Sequence, residues 1–401
     1  MKKSAFFDFF NRRQEAGFDC FLAASNESDD YIDWNDYVLP QNYGNAEFEY
    51  QAIRQSCALF DVSPIRKFRI QGLAAGKFLD YLLTRPVSGA SAMTGIYVAF
   101  CNADGSLKDD SILYKYANDD YLLMPSDMDH SPHFDVLRQQ LGIQAADLSI
   151  VDCTDDWLGV AVQGPKSAGV LSTMGFADVA DLKPFEVRDY PLGQGEIRIA
   201  RMGFTADLGY ECWFTTGLQE QFEQAITAAR DTLGLEIPGY GLTALEACRL
   251  EGGFIVAGWD FSTEADPAPG FERSPYEVGL GWLVNLDGAA FVGRKALLEK
   301  RDRGHRYYLR NLQISDSRKP EDGAALYAEV DGEECLIGSI SCSAWSWGLE
   351  AMIGNASIDS VFSDVRKAWT VIDGERLMAR LSVGPQLNLE RRNKVPADIE
   401  L

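Results

Sequence analysis

Two acidic stretches carry residues that could do chemistry. In the first, apolar runs at 97–101 and 112–116 flank Asn102-Ala103-Asp104-Gly105 and the paired acids Asp109 and Asp110. Turn formers between two such runs predict a β-hairpin. Side chains alternate along a strand, so Asp110 shares a face with Ile112, Tyr114 and Tyr116, and Asp109 shares the other with Ser111, Leu113 and Lys115. That assigns Asp110 to the more apolar face, where a carboxylate loses hydration, its pKa rises and it becomes a candidate base. The plainer reading is a turn aspartate that caps nearby amides. In the second stretch, GFTADLGYE at 203–211, small residues and turn formers present Asp207 and Glu211 beside Phe204 and Tyr210. A carboxylate next to aromatic rings suits a flat heterocycle with N–H donors, the acid accepting two of them while the rings stack. An ordinary hairpin with an exposed acid is the alternative.

Other polar clusters have structural explanations beside functional ones. Arg66, Lys67 and Arg69 form a basic cluster that would meet an anionic ligand tail or simply line a solvated strand face. His130 and His133 bracket Ser131-Pro132 without a third ligand nearby, so the run reads as a helix start and no metal site is expected. Arg249 sits late on a predicted helix, a favourable place for a cation whatever its role. Trp259, Trp345 and Trp347 would serve either as an aromatic cage for a cationic ligand or as core residues, the latter being favoured for Trp345 and Trp347.

The surrounding pattern predicts the elements that position these groups. A helix over 45–59 runs into a β-like segment, FDVSPIRKFRIQG, at 60–72, and a second helix spans 73–83. After the hairpin, a helix centred on Phe134 and Leu137 ends at Gly142. A similar order recurs from Ile150: strand, QGPKS turn, helix, further strands, the 203–211 loop and a helix over 218–233. The expected fold class is α+β, with two related, ferredoxin-like α/β lobes. A helix carrying LEACRLEGG and a strand VGLGWLVNL follow, and from about Arg306 short strands and turns predict a small C-terminal β-barrel. The expected domains are an N-terminal extension (1–37), a bilobed core (38–300) and the barrel domain (301–401).

With 46% hydrophobic and 24% charged residues the chain is globular. Its net charge of -23 argues against nucleic acid and anionic membrane partners, which need clustered Lys and Arg. No apolar run approaches the roughly 18 residues that span a bilayer. Asp8, Arg12 and Arg13 interrupt any export-signal core. The eight scattered cysteines form no paired framework and read as reduced thiols of a cytoplasmic protein. Oligomeric state is left open.

These pieces together resemble the T-protein family of folate-dependent one-carbon transferases. The matching tracts, in the family's order, are FDVS at 60–63, Tyr97 with GSLKDD at 105–110, VQGPK at 162–166, GFTADLGYE, LEACRLEGG at 245–253 and DGAAFVGRKAL at 287–297. The resemblance implies a disc-like, three-domain protein with tetrahydrofolate in a central channel. It places the catalytic aspartate on Asp110, the pterin-binding glutamate on Glu211 and the tyrosine before the hairpin on Tyr97; Tyr210, Phe204 and Arg249 are further candidates for cofactor binding. Folate N5 attacks an activated carbon in such enzymes, and the aspartate orients or accepts the N5 proton.

Departures bear on the donor. Leu245 stands where the T-protein branch has a folate-contacting arginine, Pro64 replaces a histidine and Pro125 an asparagine. Similar departures occur in branches that demethylate small methyl donors, and SPYEVGLGWLVNLD looks more like those. The expectation is therefore a demethylase that moves a methyl group from a small donor to N5. The alternatives are an aminomethyltransferase acting on a lipoyl-carrier-bound donor and a non-enzymatic folate-binding assembly factor. The last lacks its reactive-cysteine tract here, and no Gly-x-Gly-x-x-Gly unit supports a dinucleotide enzyme.

Overall fold

The computed structural model describes residues 2–12 and 31–396, so 13–30, including Cys20 and much of the expected N-terminal extension, lie outside the described residues. The stretch 60–72 does not run as one β segment. Ala58–Asp61 pairs with Trp157–Gln163, whereas Phe68–Gln71 pairs with Asp120–Met124 and Ser149–Asp152 in another sheet. Pro64 lacks a ladder N–H, and Asp61 accepts the Ser63 N–H at 2.9 Å, which together turn the chain between the sheets.

The first sheet has the order Thr94–Cys101, Leu107–Ala117, Asp120–Met124, Phe68–Gln71, Ser149–Asp152. The second has the order Val187–Leu192, Gly195–Ala200, Gly209–Thr215, Trp157–Gln163, Ala58–Asp61. Helices Ala75–Leu82 and Ser131–Gln140 bury Phe78, Leu79, Phe134 and Leu137 on the outer face of the first. Helices Ser167–Thr173 and Gln219–Leu233 cover the second in the same way through Leu171, Phe222 and Ile226. The inner faces meet each other, Tyr114, Leu122 and Met124 from one against Ala161, Ala200 and Trp213 from the other. These are the two ferredoxin-like lobes, and the six strands between Tyr307 and Ser382 close the expected barrel. The expected strand VGLGWLVNL does not form: Gly279 takes a φ of +81° and a short 3-10 turn spans Gly281–Leu283.

The N-terminal residues are inserted rather than laid on the surface. Phe6 and Phe10 are buried in the second lobe's core, Phe6 edge-on to Phe214 and Phe222 with centroids 6.0 and 5.9 Å away. Cys101, Cys153, Cys212, Cys248, Cys335 and Cys342 are free thiols. No helix among them is long and apolar enough to cross a membrane.

Helix Leu242–Glu251 joins the three parts. Its first N–H groups include that of Gly241, which donates to buried Glu49 at 2.8 Å. At its other end Glu251 accepts from Arg54 at 2.5 Å and from the Tyr50 hydroxyl at 2.7 Å, and the Ser346 hydroxyl arrives from the barrel at 2.5 Å. Arg54 also reaches Asp207 at 3.0 Å, and Arg391 from the C-terminal turn holds the same carboxylate at 2.6 Å. Replacing Arg54 by Met leaves two buried carboxylates short of their cation, so denaturant titration of Arg54→Met is expected to show a loss of about 3–5 kcal/mol.

Candidate functional site

The site lies along the inner face of strand Leu107–Ala117. Asp110 pairs with Ala99 and Ile112 with Tyr97 in the hairpin, so Tyr97 and Asp110 meet on one face and the tyrosine hydroxyl donates to Asp110 Oδ2 at 2.7 Å. The expected assignment of Asp110 to the more apolar face needs correcting. Both faces of this strand are covered, and the helix-packed face, with Leu113, Val98 and Phe100, belongs to Asp109. Asp110 lies on the other face with Tyr97 and Ala99, which pack with Ile255, Phe261 and Leu283, and the predicted desolvation still occurs there. Burial first, then the Asp109 charge, and at greater remove the Asp260 charge, push the Asp110 carboxyl up to about 7, while the Tyr97 hydrogen bond opposes the shift. Burial and the Asp110 charge keep the Tyr97 hydroxyl well above its usual pKa, hence a donor.

Two positions further along this face, beyond Ile112, Tyr114 crosses to the other lobe and donates to Glu211 Oε2 at 3.2 Å. Glu211 lies on Gly209–Thr215, paired with Ala161 and Ala200. Burial pushes this carboxyl up to about 7, against the Tyr114 hydrogen bond and the nearby Trp213 indole N–H, which completes no hydrogen bond of its own. The second Glu211 oxygen has no protein partner among the described residues. Asp110 and Tyr114 are four residues apart, about 13 Å at ~3.3 Å per residue, so Asp110 and the Tyr114–Glu211 contact lie on the same side of this sheet.

Tyr210 does not join Glu211. As its neighbour on the strand it points the opposite way, fully buried in the second lobe's core beside Arg201. Asp207 is spent in the ion pairs with Arg54 and Arg391. Phe204 remains accessible and stacks on Phe254 at 5.1 Å. Arg249 is fully buried, and its five N–H groups are taken by Glu246, the Phe254 carbonyl, Asp260 and the Cys342 sulfur, so no donor is left for a ligand. The basic cluster is likewise internal. Lys67 is buried with Nζ on the carbonyls of Ser63 and Ile65, and Arg66 and Arg69 pair with Asp152 and Asp120. Trp259 is half-exposed beside Arg249 and Trp347 packs on Tyr50, so they form no cage with each other.

Two further contacts escaped sequence reasoning, one of them on Tyr97. Trp282, 65% exposed, lies with its ring 5.9 Å from that of Tyr97, within the SPYEVGLGWLVNLD tract. Arg392 rests 4.6 Å over the Phe254 ring, with no carboxylate bound to it among the described residues; a C-terminal turn carried no signal for it. No group of acids, His and Cys among the described residues is arranged to hold a metal ion.

Comparison with known proteins fits this geometry. Residues 25–288 match the model of the GCVT N-terminal domain, and the chain belongs to that family. It is similar to the aminomethyltransferase of Desulforamulus reducens, 29% identical over 358 residues that cover 88% of this chain and 93% of the relative. The aminomethyltransferase of Streptomyces avermitilis is 29% identical over 348 residues, covering 86% and 88%. The fold matches the crystal structure of glycine cleavage system aminomethyltransferase T from Bartonella henselae with a TM-score of 0.79, at 20% identity, over 96% of this chain and 98% of that one. The protein is a T-protein-like, folate-dependent one-carbon transferase, and tetrahydrofolate is its cofactor. The Glu211 oxygen left without a partner among the described residues and the Asp110–Tyr97 pair fit the N–H donors of that group.

Because burial disfavours the charged form, the native state holds a proton on Asp110 that the unfolded chain releases above its ordinary value of 3.8. The stability cost therefore grows from about pH 4 to about pH 7 and is constant beyond it. Asp110→Asn removes that cost, so thermal melting is expected to show the variant more stable than wild type at pH 8 and nearly equal to it at pH 4. Tyr97→Phe removes the one side-chain donor on Asp110, and a carboxyl carbon-13 titration should then place the Asp110 inflection above about 7.

Proposed function

We propose that the protein transfers a one-carbon unit to N5 of tetrahydrofolate as an aminomethyltransferase of the glycine cleavage type, with Asp110 as the base. The observation that carries this reading is the Tyr97–Asp110 hydrogen bond of 2.7 Å on a half-buried carboxyl, which desolvation and the Asp109 charge push up to about 7, a range that suits proton transfer near neutral pH. The preference for a demethylase gives way to the aminomethyl reading because the curated relatives, matched over most of their length, are named aminomethyltransferases.

Tetrahydrofolate, when bound, supplies N5 as the nucleophile. Glu211 accepts N–H groups of the pterin, with Tyr114 holding its other oxygen in place. Tyr97 would fix the rotamer of Asp110, whose carboxylate would hold the proton of N5. Ile112, between the two acids on the same strand face, gives the flat ring an apolar floor. Arg392, held over Phe254 and without a carboxylate of its own, is the group we assign to the glutamate tail, in place of Arg249. In this reading the bilobed core of residues 38–300 carries the chemistry and the barrel, 301–401, closes the site. The donor would be a lipoyl-carrier-bound aminomethyl group, whose carbon would exchange its bonds to sulfur and to the amine for bonds to N5 and N10, releasing the carrier's dithiol and ammonia and giving 5,10-methylenetetrahydrofolate.

Leu245, packed against the apolar layer between the sheets, keeps the demethylase as a second reading, because the T-protein branch has an arginine there. The mass of the folate product separates the two, 5-methyltetrahydrofolate marking a demethylase. Calorimetry should show tetrahydrofolate binding lost in Glu211→Ala and kept within about threefold in Asp110→Asn, which loses at least a hundredfold in turnover. Turnover should rise with pH through about 7, as Asp110 loses its proton. Wild type that fails to bind tetrahydrofolate would overturn the reading.

A further inference from the structure

The His130-Ser131-Pro132-His133 tract has no part in the reading above, yet its first residue lies directly behind the proposed base. Asp109, on the helix-packed face of the strand, is fully buried. Its Oδ2 accepts from the Ser126 hydroxyl at 2.6 Å and the Ser126 N–H at 3.2 Å, and lies 2.8 Å from His130 Nε2. Its Oδ1 accepts the backbone N–H of Asp110 at 2.9 Å. The His130 ring is buried too, edge-on to Phe100 with centroids 4.9 Å apart, at the position before helix Ser131–Gln140. A carboxylate removed from water is costly unless its lone pairs are filled, and these donors fill them from a strand, a loop and a helix start.

We propose that Asp109, clamped by His130 and Ser126, is a positioning residue for the base: it anchors the Asp110 backbone through its N–H and holds a like charge beside the reacting carboxylate. The inference rests on Asp110 being the base. The clamp joins the first lobe's outer layer to the reaction, so the packing of helix Ser131–Gln140 sets the aim of a group on the opposite face of the sheet. Other charged groups bear on the pair. Tyr97 faces Asp110 from the neighbouring strand, and Asp260, paired with Arg249 at 3.1 Å, acts on Asp110 from the 254–261 turn. On the Asp109 side, Lys108 pairs with Glu264 at 2.6 Å, His133 lies near Lys108 and His130, and Asp127 feels the Asp109 charge. None of these donates to Asp109 in place of the clamp.

Two measurements test the idea. Asp109→Asn keeps the size and an acceptor for the Asp110 N–H but removes the charge. The Asp110 carboxyl, followed by carbon-13 titration of the free protein and identified by its loss in Asp110→Asn, should then titrate about one unit lower, a tenfold change in its acid constant. His130→Ala should lower the plateau turnover about tenfold with tetrahydrofolate affinity unchanged, and His130→Gln, which restores an N–H donor, should recover most of it. A merely structural role would lower the melting temperature of Asp109→Asn and leave the inflection at about 7, which would overturn the proposal. So would a His130→Gln no better than His130→Ala, and this pair decides the matter if Asp109→Asn does not fold. Failure of wild type to bind tetrahydrofolate would instead strike the proposed function, while the carboxyl titration would still report on Asp109.

Discussion

One guanidinium shared by two buried carboxylates keeps the three parts of this protein in register. Arg54, on a helix of the core, binds Glu251 at the end of the joining helix and Asp207 in the second lobe, while Tyr50, Ser346 and Arg391 fill the remaining valences. Removing any member strands a charge in a region that water does not reach. The barrel and the C-terminal turn are thus tied by hydrogen bonds to the same few atoms that orient the loop leading to Glu211. That arrangement supplies little net stability compared with apolar packing, but it admits few alternative alignments.

With the frame so held, the site can carry groups that the fold alone would not tolerate. Asp110 and Glu211 are each pushed up to about 7 by burial, and each has fewer partners than a buried carboxylate needs. Contrast Asp109, one residue away, whose oxygens are filled by donors from three segments. The adjacent acids differ in how far the protein satisfies them: Asp109 accepts from three segments, whereas the side-chain donor that reaches Asp110 among the described residues is Tyr97. Ligand donors would complete Glu211, which gives the empty-handed acid a physical reason to exist.

Much of this was legible in the chain. Alternation along 97–116 singled out Asp110, though for an apolar face that belongs to Asp109, and the family resemblance pointed to Tyr97; their meeting across the hairpin came from the structure, while the two-lobe order with a terminal barrel followed from the succession of apolar patterns and turns. Alternation also contained the fact that Tyr210 and Glu211 face opposite ways, although proximity in sequence suggested a joint role. The tract 278–286 has a strand composition, but Gly279 at φ +81° and the layer beneath it bend it into turns.

What the sequence by itself determined is local: which residues alternate, where turns close, and which acids stand beside aromatic partners, because these depend on spacing along one chain. The tertiary structure alone decided which faces were covered and which charges were already spent. Arg249, Lys67 and Asp207 look like free ligand groups in sequence, and each is consumed by partners that the fold brings from elsewhere in the chain. Conversely, the contacts of Trp282 with Tyr97, of Arg392 with Phe254 and of His130 with Asp109 join segments far apart in the chain, and no spacing specified them. Desolvation and hydrogen-bond satisfaction depend on everything around an atom, so they are settled only when the sheets, helices and barrel have packed.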